Sequence, residues 1–137
     1  MNDWRNRLFH DTLSSLVGEI MEEFIAFTKD LKENLLEDLF YKYTEGRKFN
    51  RKDYDDFAIV KKESYPLFDQ IEKWETEAQA IVHKLPIFPN QITNTKDNLE
   101  IMILHSYFHD VRRKRFMELY HSVLYNFDLV LDQFDAQ

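Results

Sequence analysis

The chain has 137 residues, of which 44% are hydrophobic and 15% aromatic, enough to bury the core of one domain. It contains no cysteine, which excludes disulfides, thiolate metal sites and thiol nucleophiles. Its net charge of −7 opposes general affinity for nucleic acid or anionic membranes. Because only two glycines and three prolines are present, we expect a few long helices rather than a β fold.

The first predicted helix runs from Asp11 to Thr44, where apolar residues recur every three or four positions. Asp11 or Thr12 can cap its start, because their side-chain oxygens accept hydrogen bonds from free backbone N–H groups. Gly46, just after the last apolar position, predicts a left-handed residue that ends the helix.

The same helix can also begin earlier. Further apolar residues precede the predicted cap at helical spacing, namely Trp4, Leu8 and Phe9. Residues 1–22 are therefore a possible N-terminal extension of a long first helix.

A second helical segment runs from about Asp53 to Lys84. Pro66 lies inside it and cannot donate a backbone hydrogen bond, which predicts a kink or break near Ser64. Trp74 falls on the apolar face, so we expect it in the core rather than at a ligand site.

The next segment, 85–94, contains two prolines and is predicted to be a loop. Between the prolines, Ile87 and Phe88 are expected to tuck under the end of the bundle. Asn94 or Thr95 then caps a third helix.

Neither glycine nor proline occurs between residues 96 and 134, but the helical spacing of apolar residues is interrupted over 105–115. One continuous helix here would approach about 40 residues, far above the usual length, and would make a fold of three long helices. Two helices meeting near 109–112 would instead make an antiparallel up-and-down four-helix bundle. Periodicity alone allows both.

Several short motifs stand at characteristic places: Tyr43-Thr44-Glu45-Gly46, Trp74, Asp97-Asn98-Leu99, Ser106-Tyr107-Phe108-His109, Lys114-Arg115-Phe116 and His121-Ser122-Val123-Leu124-Tyr125. Over roughly Ile25 to Phe134 the chain resembles the YppE-like family, a domain of unknown function (DUF1798) of Gram-positive bacteria. The leading residues extend beyond the shorter members. The resemblance implies an all-helical, four-helix up-and-down bundle, which favours the break near His109. It implies no activity, cofactor or catalytic residue.

Three histidines and one glutamate are the candidates for a metal or ligand site. His105 and His109 stand four apart, a helical spacing that can chelate zinc. Glu118 and His121 form a Glu-x-x-His motif, of which di-iron bundles need two, and this chain has one. We therefore expect no metal and no cofactor. A small metal- or ligand-binding bundle, with or without enzymatic activity, stays as the alternative.

The run Arg112 to Arg115 is the densest basic stretch. A helix directs successive residues to different sides, so the run does not form one patch. We expect it to hold the turn between the third and fourth helices through ion pairs, with no binding of nucleic acid. Arg112 and Arg115 are kept as binding candidates.

No glycine-rich phosphate loop or nucleophile elbow occurs, so the sequence predicts no catalytic function. The favoured interpretation is a non-enzymatic helical module that binds a protein partner or itself. Its candidate contact residues are aromatic: Tyr41, Phe49, Tyr54, Phe88 and Tyr107. No secretory signal pattern or membrane-spanning run is evident, so we expect one cytoplasmic helical-bundle domain over 1–137.

Overall fold

The computed structural model describes residues 3–135, and every secondary-structure element named in that range is a helix. The first helical rod consists of α1 (Asp3–Asp30), a π-helical turn (Leu31–Leu35) and α2 (Leu36–Glu45). Three further helices follow, α3 (Tyr54–Ala80), α4 (Pro89–Tyr107) and α5 (Arg113–Asp135), with a 3₁₀ turn (Val82–Lys84) after α3. Within residues 3–135, no helix is both long and apolar enough to span a membrane.

The first rod and helices α3, α4 and α5 form an all-α, antiparallel up-and-down four-helix bundle with a long first helix, as predicted. Helix α1 packs against α3 and α5, and α4 packs against the same two helices. The pairing of the first rod with α5 is antiparallel, since Lys32 meets Asp128 while Tyr43 stacks on Phe116. Because α4 ends before α5 begins, the three-helix alternative is wrong.

Trp74 is the centre of the core. Its ring centroid lies 5.8 Å from that of Phe24 and 5.4 Å from that of Phe127, so α3 contacts α1 and α5 at one level. All three side chains are buried. Rings of this size supply much of the apolar burial in a small bundle.

The π-helical turn adjusts the apolar face of the first rod to the core. Leu31, Leu35 and Leu39 are all buried, although successive steps of four residues drift away from one face of an ideal helix. A π turn takes an extra residue into the turn, and so returns the later side chains to the core. On its outer side, Lys32 Nζ lies 2.6 Å from Asp128 Oδ1 of α5.

Helix α3 continues without a break through Pro66, so of the two outcomes predicted near Ser64, a kink or a break, the break is wrong. Pro66 is exposed, and the carbonyl that loses its partner belongs to Lys62, which is also exposed. Because that carbonyl can bond water, the missing hydrogen bond does not force the helix to end.

Helix α4 begins earlier than predicted. Pro89 takes its first position, and the side-chain oxygen of Gln91 accepts the backbone N–H of Phe88 at 2.8 Å. The predicted cap at Asn94 or Thr95 is therefore wrong. Thr95 lies inside the helix and donates its hydroxyl to a backbone carbonyl one turn back.

Two predictions about the ends of the first rod are also wrong. The Thr12 hydroxyl donates to the carbonyl of Leu8 within α1, so neither Asp11 nor Thr12 caps its start. Gly46 ends α2 in an extended conformation, with φ −74° and ψ 167°, and not in the left-handed region.

Candidate functional site

The candidate metal ligands lie on separate parts of the structure. His105 is in α4, His109 in the connection to α5, and His121 and Glu118 on the exposed side of α5. Among residues 3–135, no group of three or more His, Asp or Glu side chains is arranged to hold a metal ion. The alternative of a metal-binding bundle built on these histidines therefore lacks geometric support.

His109 contributes to holding two connections together. Its Nδ1 lies 3.1 Å from the carbonyl oxygen of Phe49, where the ring nitrogen acts as donor. The backbone N–H of Phe49 donates to the carbonyl of Tyr107 at 2.8 Å. These contacts fasten the connection over 46–53 to the one over 108–112.

His105 is half-buried, and its Nδ1 has no hydrogen-bond partner. Burial lowers the pKa of His105 below its ordinary value, and the positive charges of Arg115 and Arg51 lower it further. Asp110 opposes this shift in part. The surroundings of His105 therefore favour the neutral imidazole, as suits a partly desolvated side chain.

Arg51 is the basic residue that secures the turn between α4 and α5. Its Nη2 lies 3.1 Å from Asp110 Oδ1, and its guanidinium carbon lies 4.3 Å from the ring centroid of Phe108. The ion pair lowers the pKa of Asp110. No local sequence pattern identifies this pair, because 59 positions separate its members.

Lys48 stabilises the same end of the bundle from a partly buried position. Its Nζ donates to the carbonyl of Lys42 at 2.8 Å and to that of Ser106 at 3.1 Å, near the last turns of α2 and α4. Burial lowers its pKa. A cation at these positions complements the negative ends of both helix dipoles.

The run Arg112 to Arg115 is exposed along its whole length. In the part of the chain that the structure describes, none of the four forms an ion pair. The expectation that this run holds the turn through ion pairs is wrong, because Arg51 and Asp110 make that contact. Arg112 and Arg115, the two binding candidates, are surface cations that form no ion pair with any described side chain.

The predicted aromatic contact residues divide into two groups. Tyr41, Tyr54 and Phe88 are exposed, whereas Phe49 and Tyr107 are buried with ring centroids 6.1 Å apart. The prediction is wrong for this buried pair, because the connection over 46–53 folds back over the end of α4. Of the pair expected to tuck under the bundle, Ile87 is buried and Phe88 is not.

An extended apolar surface is present on the N-terminal half of α1. The buried residues of α1 are Phe24 and Thr28, and Met21 also packs against the core, so the helix projects from the bundle before Met21. Six large apolar side chains on this section are between 41% and 62% exposed: Trp4, Leu8, Phe9, Leu13, Leu16 and Ile20. At about 1.5 Å per residue, residues 3–20 extend for about 27 Å.

A smaller apolar groove of about 380 Å³ lies along the first half of α3, where that helix faces α4. Its lining includes two rings that are about half exposed, Phe57 and Tyr65. Phe57 is three residues before Val60 on the same side of α3, but only Val60 is buried, so the core of the bundle begins at Val60.

Comparisons with known proteins agree on one family. Residues 28–134 match the profile of a bacterial domain of unknown function, DUF1798. The uncharacterized protein YppE of Bacillus subtilis (strain 168) is 30% identical over 95 residues, which cover 67% of this chain and 76% of that protein. The crystal structure of yppE from Bacillus subtilis superposes with a TM-score of 0.66 at 21% identity, covering 85% of this chain and 98% of that one. At that identity, the structural likeness concerns the fold alone.

Proposed function

Because this chain belongs to the DUF1798 family, whose function is unknown, we propose its function from its own surfaces: it is a helical module that binds protein through the exposed face of α1. The observation that supports this proposal is a stripe of four side chains on the projecting helix. Phe9, Leu13, Leu16 and Ile20 follow one another at steps of four, three and four residues, and each is at least 41% exposed.

Exposure of an apolar stripe of this kind to water is unfavourable, so we expect another surface to cover it. Contiguous apolar patches on a protein surface usually mark interaction sites. Most helical stability in proteins also comes from the packing of an apolar face, which the projecting section lacks along its stripe. The projecting section lies before residue 28, where the family match begins, so the proposed binding surface is argued from this chain alone.

We also propose that the module acts in the cytoplasm. The acidic balance of charge, −7 overall, suits a protein that stays dispersed among other macromolecules. Cell fractionation with an antibody against the chain tests this location.

Site-specific photo-crosslinking in the native host tests the binding function. A photoreactive phenylalanine analogue in place of Leu13 lies on the stripe. The same analogue in place of Gly18 lies on the opposite side of the helix, where the structure leaves open space. We expect crosslinked protein from the first position and not from the second. Crosslinks at neither position, or equally at both, contradict the proposal.

A further inference from the structure

The exposed stripe of α1 is the continuation of a face that the bundle covers. About 18 residues make five helical turns, so Leu13 lies on the same side of the helix as Leu31, and Phe9 on the same side as Phe27. Leu31 is fully buried, and Phe27 packs against the core. Inside the bundle, α3 and α5 cover this side of the first rod. On the projecting section of α1, no described helix covers this side. The partner whose shape fits it is therefore another helix.

The charges beside the stripe identify which helix fits. Arg5 lies on the same flank as Glu23, five turns away, and Glu19 lies close to that flank. Although Asp3 and Asp11 balance Arg5 and Arg7 over residues 3–11 as a whole, this one flank is basic near the N-terminus and acidic where the helix enters the bundle. A second copy running in the opposite direction sets Arg5 of each chain beside the acidic end of the other. A parallel copy leaves both acidic ends at the same level.

We propose that a second copy of this chain docks antiparallel on α1, stripe against stripe, over residues 3–23. This proposal rests on the proposed function and names its partner. The contact is isologous, because the same surface serves both copies, so each favourable pairing occurs twice. The two bundles lie at opposite ends of the paired helices. A pair of single helices falls in the small size class, below about 1,200 Å², so the dimer is weak and reversible.

Sedimentation equilibrium of the full chain tests the apolar contact. We expect the wild-type chain to dimerise at high micromolar concentration and the Leu13→Glu/Leu16→Glu variant to stay monomeric. The control, Ser14→Glu/Ser15→Glu, adds the same charge to the same section away from the stripe, and should dimerise like the wild type. Ser14 and Ser15 lie outside the stripe. All four substituted positions are exposed, so we expect both variants to fold. A wild-type chain that is still monomeric at about 0.5 mM overturns the proposal.

A mixing experiment tests the direction and the partner. Arg5→Glu alone, and Glu19→Lys/Glu23→Lys alone, each place like charges together twice, so each should dimerise about tenfold or more weakly at low salt. An equimolar mixture of the two variants restores both pairings and should dimerise like the wild type. No gain on mixing overturns the antiparallel dimer.

The two proposals fail in different ways. If crosslinking at position 13 yields only a different protein, and the purified chain stays monomeric, the second copy is the wrong partner while the interaction function stands. If position 13 yields no crosslink at all, the interaction function itself is wrong.

Discussion

Trp74 Nε1 donates a hydrogen bond to Thr28 Oγ1 at 2.9 Å, and both side chains are fully buried. The Thr28 hydroxyl donates in turn to the carbonyl of Phe24, one turn back in α1, at 2.9 Å. The Trp74 ring also stacks on Phe24. This chain of contacts lies where the projecting helix enters the bundle, so it joins the proposed binding section to the core.

Trp74→Ala should reduce the free energy of unfolding by about 3–5 kcal/mol, because it removes the largest buried side chain of the core. Urea denaturation followed by circular dichroism measures the loss. Trp4→Ala, at a ring that is 57% exposed, is the control and should change stability by less than about 0.5 kcal/mol. A loss below about 1 kcal/mol for Trp74→Ala would contradict the core role.

Thr28→Val should cost about 1–3 kcal/mol, because the buried indole N–H then has no acceptor while the side-chain volume is kept. In a Trp74→Phe background, which has no indole N–H, the same change should cost less. The coupling energy from this double-mutant cycle reports the hydrogen bond. Additive costs would show that the bond contributes nothing to stability.

The stability of the protein should fall as pH falls through the ordinary pKa of histidine, about 6.5. Burial lowers the pKa of His105 in the folded chain, so below that pH the unfolded chain binds more protons and unfolding is favoured. His105→Gln should flatten the profile of unfolding free energy between about pH 7 and 5. His121→Gln, at an exposed position, is the control. Equal slopes for the wild type and His105→Gln would contradict this role.

Alanine substitutions at Arg112, Arg113, Lys114 and Arg115 should each change stability by less than about 0.5 kcal/mol, because these side chains are exposed. Thermal unfolding of the four variants measures this. Binding to labelled single- and double-stranded nucleic acid at about 50 mM salt tests the further expectation that a chain of net charge −7 does not bind it. Salt-sensitive binding that each substitution weakens would make this end of the bundle a polyanion site.

The two glycines should respond oppositely to alanine. A Cβ at Gly46 would lie 2.7 Å from the carbonyl oxygen of Lys42, so Gly46→Ala should destabilise the protein by about 1–3 kcal/mol. A Cβ at Gly18 meets nothing within 4 Å, so Gly18→Ala should stabilise α1 locally by up to about 1 kcal/mol. Chemical denaturation measures the first change, and amide hydrogen exchange across α1 measures the second. Changes of the same sign would contradict the difference in their surroundings.

Helical periodicity predicted the helices correctly because it is a local property, whereas the break between the third and fourth helices was favoured only by the family resemblance. The spacing of Phe24, Leu31 and Leu39, and that of Ile71, Trp74 and Ala78, places each set on the buried side of its helix. Where the prediction failed, a local preference was outweighed by its surroundings. Pro66 lies on the solvent side, where water can replace a lost hydrogen bond. Gln91 supplies the cap, so α4 begins earlier in the chain than predicted.

The sequence by itself determined long amphipathic helices, a tryptophan in their core, and a stripe of apolar residues that begins near the N-terminus. Only the tertiary structure decided which part of that stripe is covered, since burial depends on where α3 and α5 end beside α1. It likewise decided that Arg51 pairs with Asp110, and that His105, His109 and His121 form no common site. Contacts between residues distant in sequence depend on how the helices pack, and helical periodicity carries no information about that packing.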